Sequence, residues 1–300
     1  MAAKIVIVGS FNMDLTTYME RLPRPGETVH GRRFVTGPGG KGSNQAVAAA
    51  RLGADVTFVG RVGTDSFGDT ALRTWQAEGI DTRYVVRDPG NATGVAPIFV
   101  EDSGENAIVV ALGANLALSP ADVDAARAAI ADADVLVVQL EIDLNTVAHA
   151  LRVAKEQGVR TILNPAPAAH LPESTLALAD YLTPNETELE TLYGPVSTDL
   201  RQFVKFAGQT LVMTAGARGA LWATQTDSGE VPAYKVDVVD TTGAGDAFNG
   251  GLAVALAEGR ALTDAIAFAN ATAAMCVTRP GTAPSMPQRA DVEALMMQQA

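Results

Sequence analysis

Apolar positions along the chain fall into two alternating rhythms: short β-branched runs, and Ala-rich stretches with apolar residues at helical spacing. Ile5–Val8 reads as a buried strand, Gly42–Leu52 as a helix closed by Gly53, and Val56–Val59 as a second strand. Ser66–Glu78 is a helix closed by Gly79. Ser119 is an N-cap with Pro120 at the first helical position. Val135–Val138 and Thr161–Leu163 are strands flanking a helix over Leu144–Glu156. Leu211–Thr214 is a strand, and Gly243–Ala257 and Thr263–Val277 are helices. This alternation predicts the α/β class, a mainly parallel sheet covered by helices.

Two stretches, Asp14–Thr36 and Arg83–Ala111, break the rhythm with β-type runs and turns and little helical periodicity. Thr93–Val100 and Ala107–Leu112, joined by Asp102-Ser103-Gly104-Glu105-Asn106, predict an antiparallel hairpin. A small β lid formed by about 14–36 and 83–111 is the expectation, on a single α/β domain spanning 1–300. An antiparallel extension of the main sheet edge is the plainer alternative.

Composition narrows the function. The 300 residues are 47% hydrophobic, enough for a large core. A net charge of −12 provides no footprint for nucleic acid or an anionic membrane surface. The lone Cys276 cannot form an intramolecular disulfide, the N-terminus is too β-branched for a secretory segment, and no apolar run is long enough to span a membrane. A cytoplasmic protein is expected.

Candidate chemistry lies in four segments. Asp240-Thr241-Thr242-Gly243-Ala244-Gly245-Asp246 follows the β-branched run Val236–Val239 and opens an apolar helix. Gly-Ala-Gly at a helix start exposes backbone N–H groups to an anion. Asp246 directly after them suits a base that takes a proton from a hydroxyl attacking a phosphate held by those groups. A helix N-terminal carboxylate is the structural alternative. Gly37-Pro38-Gly39-Gly40-Lys41-Gly42-Ser43-Asn44 fails the P-loop pattern, because Val35 and Gly42 stand where Gly and Ser or Thr are required. Its glycines still permit close ligand approach, and Lys41 and Asn44 offer donors. In Gly9-Ser10-Phe11-Asn12-Met13-Asp14, Phe11 spoils a dinucleotide fingerprint, whereas Asn12, Asp14 and, after another strand, Glu141 can bond vicinal hydroxyls. Asn185 and Glu188 share a helical face or form a capping box.

In this order the segments resemble the ribokinase family of sugar and nucleoside kinases, from about Ile5 to Pro287. The two signatures are Gly39-Gly40-Lys41-Gly42-Ser43-Asn44-Gln45-Ala46 and Asp240–Asp246. Gln139-Leu140-Glu141, Asn164–Ala168, Thr183–Glu188 and Arg279–Ser285 support them. The resemblance implies a three-layer α/β/α core with a β-sheet lid, commonly dimeric through the lids. It implies ATP-dependent phosphorylation of D-ribose at its 5-hydroxyl. Asn12, Asp14, Gly39, Gly40, Lys41, Asn44 and Glu141 would hold the sugar, Asp246 would be the base, and Gly243, Ala244 and Gly245 the anion hole. Asn185 and Glu188 would position magnesium through water. Thr214, Gly216 and Gly219 would cover the nucleotide, and Asn270 would stand beside the adenine. Asp240, Thr242, Cys276, Gly281 and Ser285, with Arg279 in the same loop, would hold a monovalent cation, typically potassium, mostly through carbonyls.

The segment between Gly194 and Thr210 is short for the family, so a trimmed helix is expected there. A kinase for deoxyribose, another sugar or a nucleoside is the alternative within the class. A non-catalytic sugar- or nucleotide-binding protein and a nicotinamide-dependent oxidoreductase are the alternatives outside it.

Overall fold

The structure, a computed structural model, describes residues 2–299. The strands are β1 (Lys4–Val8), β2 (Asn12–Met19), β3 (Arg33–Gly39), β4 (Asp55–Gly63), β5 (Asp81–Asp88), β6 (Gly94–Glu101) and β7 (Asn106–Ile108). They continue with β8 (Val135–Val138), β9 (Arg160–Leu163), β10 (Tyr181–Leu182), β11 (Thr210–Thr214), β12 (Ala220–Ala223) and β13 (Ser228–Val231). The helices are α1 (Lys41–Arg51), α2 (Ser66–Ala77), α3 (Pro120–Ala125), α4 (Arg127–Ala131) and α5 (Leu144–Glu156). After them come α6 (Glu173–Leu176), α7 (Glu186–Tyr193), α8 (Ala244–Ala257), α9 (Leu262–Cys276) and α10 (Arg289–Gln298).

Nine strands form one sheet in the order β13-β12-β11-β10-β9-β8-β1-β4-β5, parallel except where β12 meets its two neighbours. Its central strands are buried on both sides, which is why they read as continuous apolar runs. Alternate residues serve the two faces. Ile5, Ile7, Val135 and Val137 pack with α1, α2, α8, α9 and α10. Val6, Val8, Leu136 and Val138 pack with the α3–α5 side. Helices on both faces give the three layers the resemblance implied.

A second, four-stranded sheet of order β3-β2-β6-β7 stands apart from the first. Its β6–β7 pair is the predicted hairpin, with Phe99 opposite Ala107. Residues Arg83–Asp88, expected with the small sheet, belong to β5, which pairs in parallel with β4 at the edge of the main sheet. The β4-α2-β5 connection is an ordinary parallel crossover, and it takes that stretch away from the small sheet.

The helix begun by Ser119 and Pro120 has its capping box with Asp122 but breaks at Ala126 into α3 and α4. The run Val236–Val239 forms no strand. It lies beyond β13, with Val238 and Val239 61% and 63% exposed, and the N–H groups of Val239 and Asp240 both donate to the Val277 carbonyl.

The sheet order places β1 between β8 and β4, so the chain leaves β1 toward one neighbour and reaches the other later. Such a switch point leaves a crevice at the C-terminal strand ends. The N-termini of α1 and α8 both point there. The Gly40 that precedes α1 has φ 89°, and a Cβ on it would stand 2.5 Å from the Asn12 nitrogen, so only glycine fits. At the other end of α1 the Arg51 guanidinium bonds the carbonyls of Pro284 and Met286 and pairs with Glu78.

Candidate active site

The first turn of α8 is built for an anion. Gly243 caps it at φ 81°, a left-handed conformation that suits glycine, and carries no side chain to close the first turn. Among the described residues the N–H groups of Gly245 and Asp246 find no protein acceptor. Orphan donors of a helix start, together with its dipole, favour negative charge. A Cβ on Gly245 would meet no atom within 4 Å, so the mouth of this helix is open space.

Asp246 lies one residue further along, buried at 7% exposure. Its Oδ2 accepts from Asn44 Nδ2 at 2.8 Å and its Oδ1 from Gln45 Nε2 at 3.2 Å. Burial raises its pKa, against which the Lys41 ammonium and the Asn44 amide favour the ionised form. Lys41, the first residue of α1, faces Asp246, Glu141 and Glu188. Burial disfavours its charge, but these three carboxylates outweigh that and hold it protonated. Among the described residues the buried Asn44 Oδ1 finds no partner, which leaves it a free acceptor.

Across the crevice, Glu141 follows β8 and its Oε2 collects three donors: Ser10 Oγ at 2.5 Å, Asn12 Nδ2 at 3.2 Å and the Lys41 backbone N–H at 2.9 Å. Asn115, which no motif marks, fixes Asn12 from behind by donating to its Oδ1 at 3.0 Å. Asp14 on β2 accepts from Thr282 Oγ1 at 2.8 Å, and a Cβ on Gly39 would stand 2.4 Å from its Oδ2. The glycine is what admits that carboxylate. Ser10 and Thr282 lay within segments noted in the sequence, yet only the folded chain gives them these partners.

Burial, partly offset by the Thr282 hydroxyl, pushes the Asp14 pKa from 3.8 up to about 6, with Glu141 and Asp246 adding repulsion. The folded state therefore holds the Asp14 proton more tightly than the unfolded chain. Stability falls as pH rises from about 4 to 6 and stays lower above it. Asp14→Asn is expected to stabilise the ligand-free protein at pH 7 by roughly 1–3 kcal/mol. The check is a thermal melt at pH 7 and again below pH 4, where the gain should vanish. A lower Tm at pH 7 contradicts it.

Asn185 and Glu188 form a complete reciprocal capping box. Asn185 Oδ1 accepts from the Glu188 N–H at 2.8 Å, and the Asn185 N–H and Nδ2 reach Glu188 Oε2 and Oε1 at 2.8 and 3.0 Å. Capping does not withdraw Glu188 from the crevice, since the Lys41 and Asp246 charges both act on it while burial raises its pKa. Thr214 ends β11 and bridges to Asn185. Gly216 and Gly219 follow in a tight 3-10 turn with φ 55° and 96°. Asn270 spends its amide N–H groups on the carbonyls of Val231 and Pro232, tying α9 to the end of β13.

Beside α8, Asp240 joins two loops: its Oδ1 accepts from the Thr242 N–H and its Oδ2 from the Gly281 N–H, both at 2.9 Å. Those bonds outweigh burial and lower its pKa. Cys276 is buried beside these loops. Its Sγ lies 3.1 Å from Ser285 Oγ, and burial pushes the thiol up to about 11. Arg279 points outward to Asp291 at 2.9 Å.

The pfkB family carbohydrate kinase profile matches residues 2–289. The ribokinase of Haemophilus influenzae is 42% identical over 296 residues, covering 96% of this chain and 97% of the relative. The deoxyribokinase of Salmonella typhi is also 42% identical, over 291 residues, with 94% and 95% covered. An Arabidopsis thaliana ribokinase structure complexed with ribose and ATP superposes with a TM-score of 0.90 at 33% identity, covering 99% of each chain. Unpaired N–H groups of a helix start beside a buried carboxylate, facing a crevice of hydrogen-bond donors and acceptors, fit that kinship. The chain belongs to the pfkB family of carbohydrate kinases and is an ATP-dependent sugar kinase.

Proposed function

We propose that the substrate is D-ribose, phosphorylated at its 5-hydroxyl with Asp246 as general base. The observation that carries this reading is the convergence of Asn12, Asp14, Lys41, Asn44 and Glu141 on one side of Asp246, with the unpaired N–H groups of α8 on the other. Vicinal hydroxyls need both donors and acceptors, and the Asp14 and Glu141 carboxylates with the free Asn44 Oδ1 supply acceptors while Asn12 and Lys41 supply donors. Gly39 and Gly40 let the backbone approach the ring.

The 5-oxygen attacks the γ-phosphorus as its proton passes to Asp246. The bond from that phosphorus to the β-phosphate oxygen breaks, releasing ADP and ribose 5-phosphate. Gly243, Ala244 and Gly245 would receive the charge on the transferring group. Thr214, Gly216, Gly219 and Asn270 would line the nucleotide.

Magnesium bound with ATP neutralises phosphate charge, and the donor set fits it. Each Glu188 oxygen is oriented by an Asn185 N–H group and keeps a lone pair for metal-bound water, with Asn185 as its anchor. The loops joined by Asp240 suit a monovalent cation held by oxygen. Thr242, Cys276, Gly281 and Ser285 lie together there, and among the described residues no cluster of three His, Cys, Asp or Glu competes as a metal centre. Potassium is accordingly expected to raise turnover. Equal rates in potassium-free and potassium-containing buffer would remove this part of the reading.

The small sheet is read as a lid over the sugar, and its exposed Phe34, Ile108 and Val109 as the contact of a homodimer. Sedimentation would settle the latter, a monomer contradicting it. A cytoplasmic location fits the lone buried Cys276, and no helix among the described residues is long and apolar enough to cross a membrane.

The Salmonella relative supports deoxyribose as a second reading. A coupled ADP-release assay over a panel of pentoses, deoxyribose and nucleosides separates the two. Turnover with another sugar and none with ribose would overturn the first.

A further inference from the structure

Behind Asp246 runs a chain of buried polar side chains that neither helix capping nor sugar binding uses. Gln45 on α1 is wholly buried. Its Nε2 donates to Asp246 Oδ1 at 3.2 Å and to Asn164 Oδ1 at 3.1 Å, while its Oε1 accepts from Gln139 Nε2 at 2.5 Å. Asn164 Nδ2 donates to the Thr183 carbonyl at 3.1 Å, and Thr183 Oγ1 to Asn249 Oδ1 at 2.6 Å. Asn249 Nδ2 closes the path on the Gly245 carbonyl at 2.8 Å. The donors all point one way, from Gln139 after β8 to the carbonyl next to Asp246 itself.

This directionality fixes the central amide. Turned over, Gln45 would set its oxygen against the Asp246 carboxylate and against Asn164 Oδ1, and its NH2 against the NH2 of Gln139. All three contacts would be repulsive, so one orientation survives. Burying five amide and hydroxyl side chains costs desolvation that apolar residues would avoid. Gln45 is neutral, whereas the charges that act on Asp246 come from Lys41 on α1 and Glu141 after β8, with Asp14 on β2, Glu188 on α7 and the Cys276 thiol on α9 in its field. The bond Gln45 donates favours the ionised carboxylate, as the Asn44 bond does, and it also gives that carboxylate a direction.

We propose that Gln45 is a positioning residue for phosphoryl transfer: locked by Gln139 and Asn164, its amide fixes the plane of the Asp246 carboxylate against the attacking hydroxyl. The proposal rests on Asp246 being the base. Through Asn164, Thr183 and Asn249 the same chain holds the Gly245 carbonyl, so base and anion site are aligned by one set of bonds.

Gln45→Met preserves side-chain length and removes both donors. A charge-assisted hydrogen bond of ordinary strength predicts a fall in kcat of roughly 10- to 100-fold. The sugar KM should stay within about threefold, because Gln45 is set behind the carboxylate and not in the crevice. Repeating the substitution in an Asp246→Ala background separates positioning from packing. There Gln45 has no carboxylate to hold, and its loss should change kcat by less than about twofold. An equal fall in both backgrounds, or no fall in the parent, overturns the proposal.

If Gln45→Met does not fold, Gln139→Met carries the same test. It removes the bond that anchors Gln45 Oε1, so the amide is held on one side only, and it deletes the Gln139 Oε1 that has no partner among the described residues. It should lower kcat with KM kept, and only while Asp246 is present; an unchanged kcat overturns the proposal. Parental turnover by Asp246→Ala alone would instead remove the base assignment, and the role of Gln45 with it.

Discussion

Asp246→Asn is expected to lower kcat by roughly 10²–10⁴-fold, the range of general-base assistance. Sugar affinity should remain within about threefold, since the hydroxyl-binding groups are untouched. The substitution is not innocent locally, because Asn44 and Gln45 each donate to one carboxylate oxygen. Whichever way the new amide turns, its NH2 meets a donor. Gln45 cannot give way, being held by Asn164 and Gln139. Asn44 can, since its Oδ1 has no partner and can turn to accept. The fold should therefore survive, and calorimetric titration with sugar alongside steady-state rates would separate binding from chemistry. Turnover at the parental rate would mean that the proton goes elsewhere.

Gly245→Ala keeps the backbone N–H but sets a methyl in the mouth of the anion site, and is expected to cut turnover by roughly 10²–10³-fold, a loss of the size seen when an anion-hole contact is disrupted, without harming stability. Gly245 lies in the first turn of α8 outside the left-handed region, and its Cβ would touch no protein atom within 4 Å. Alanine also favours a helix over glycine by about 1 kcal/mol. A stable variant that has lost its rate would mean that the added methyl occupies space needed by the phosphoryl group. A melt at or above the parental Tm together with the kcat/KM for ATP makes the comparison. Unimpaired kinetics would contradict the anion-hole assignment.

Much of this architecture could be read before folding was considered. Ile5–Val8 and Val135–Val138 fall where the pattern puts them, because a strand buried on both faces has no polar positions to confuse it, and the Leu144–Glu156 helix shows its one apolar face at helical spacing. Arg83–Asp88 was misplaced because its partner in pairing, β4, is set by a crossover and not by local composition. Val236–Val239 carries the β-branched propensity of a strand, yet among the described residues no neighbour pairs with it. In the site, the Gly-rich segments pointed to Lys41, Asn44 and Asp246, which the fold brings together, because close backbone approach has a compositional signature. Thr282 has none. Its bond to Asp14 spans 268 positions of the chain, and a threonine in a loop carries no mark of such a partner. The Gln45 chain escaped for the same reason, each amide looking ordinary until its neighbours surround it.

The small sheet joins the core at few points. β2 begins at Asn12 and β3 ends at Gly39, two residues before Lys41. β6 begins at Gly94, where an added Cβ would press on Asn12 Oδ1. The pivots of that sheet and the residues proposed to grip the sugar are thus the same stretch of backbone. A swing of the sheet has to be absorbed where the ligand would sit, and a ligand pressed between Asn12 and Lys41 would stiffen the joint it rests in. A filled cleft would then be felt at the joint itself, with no separate sensor.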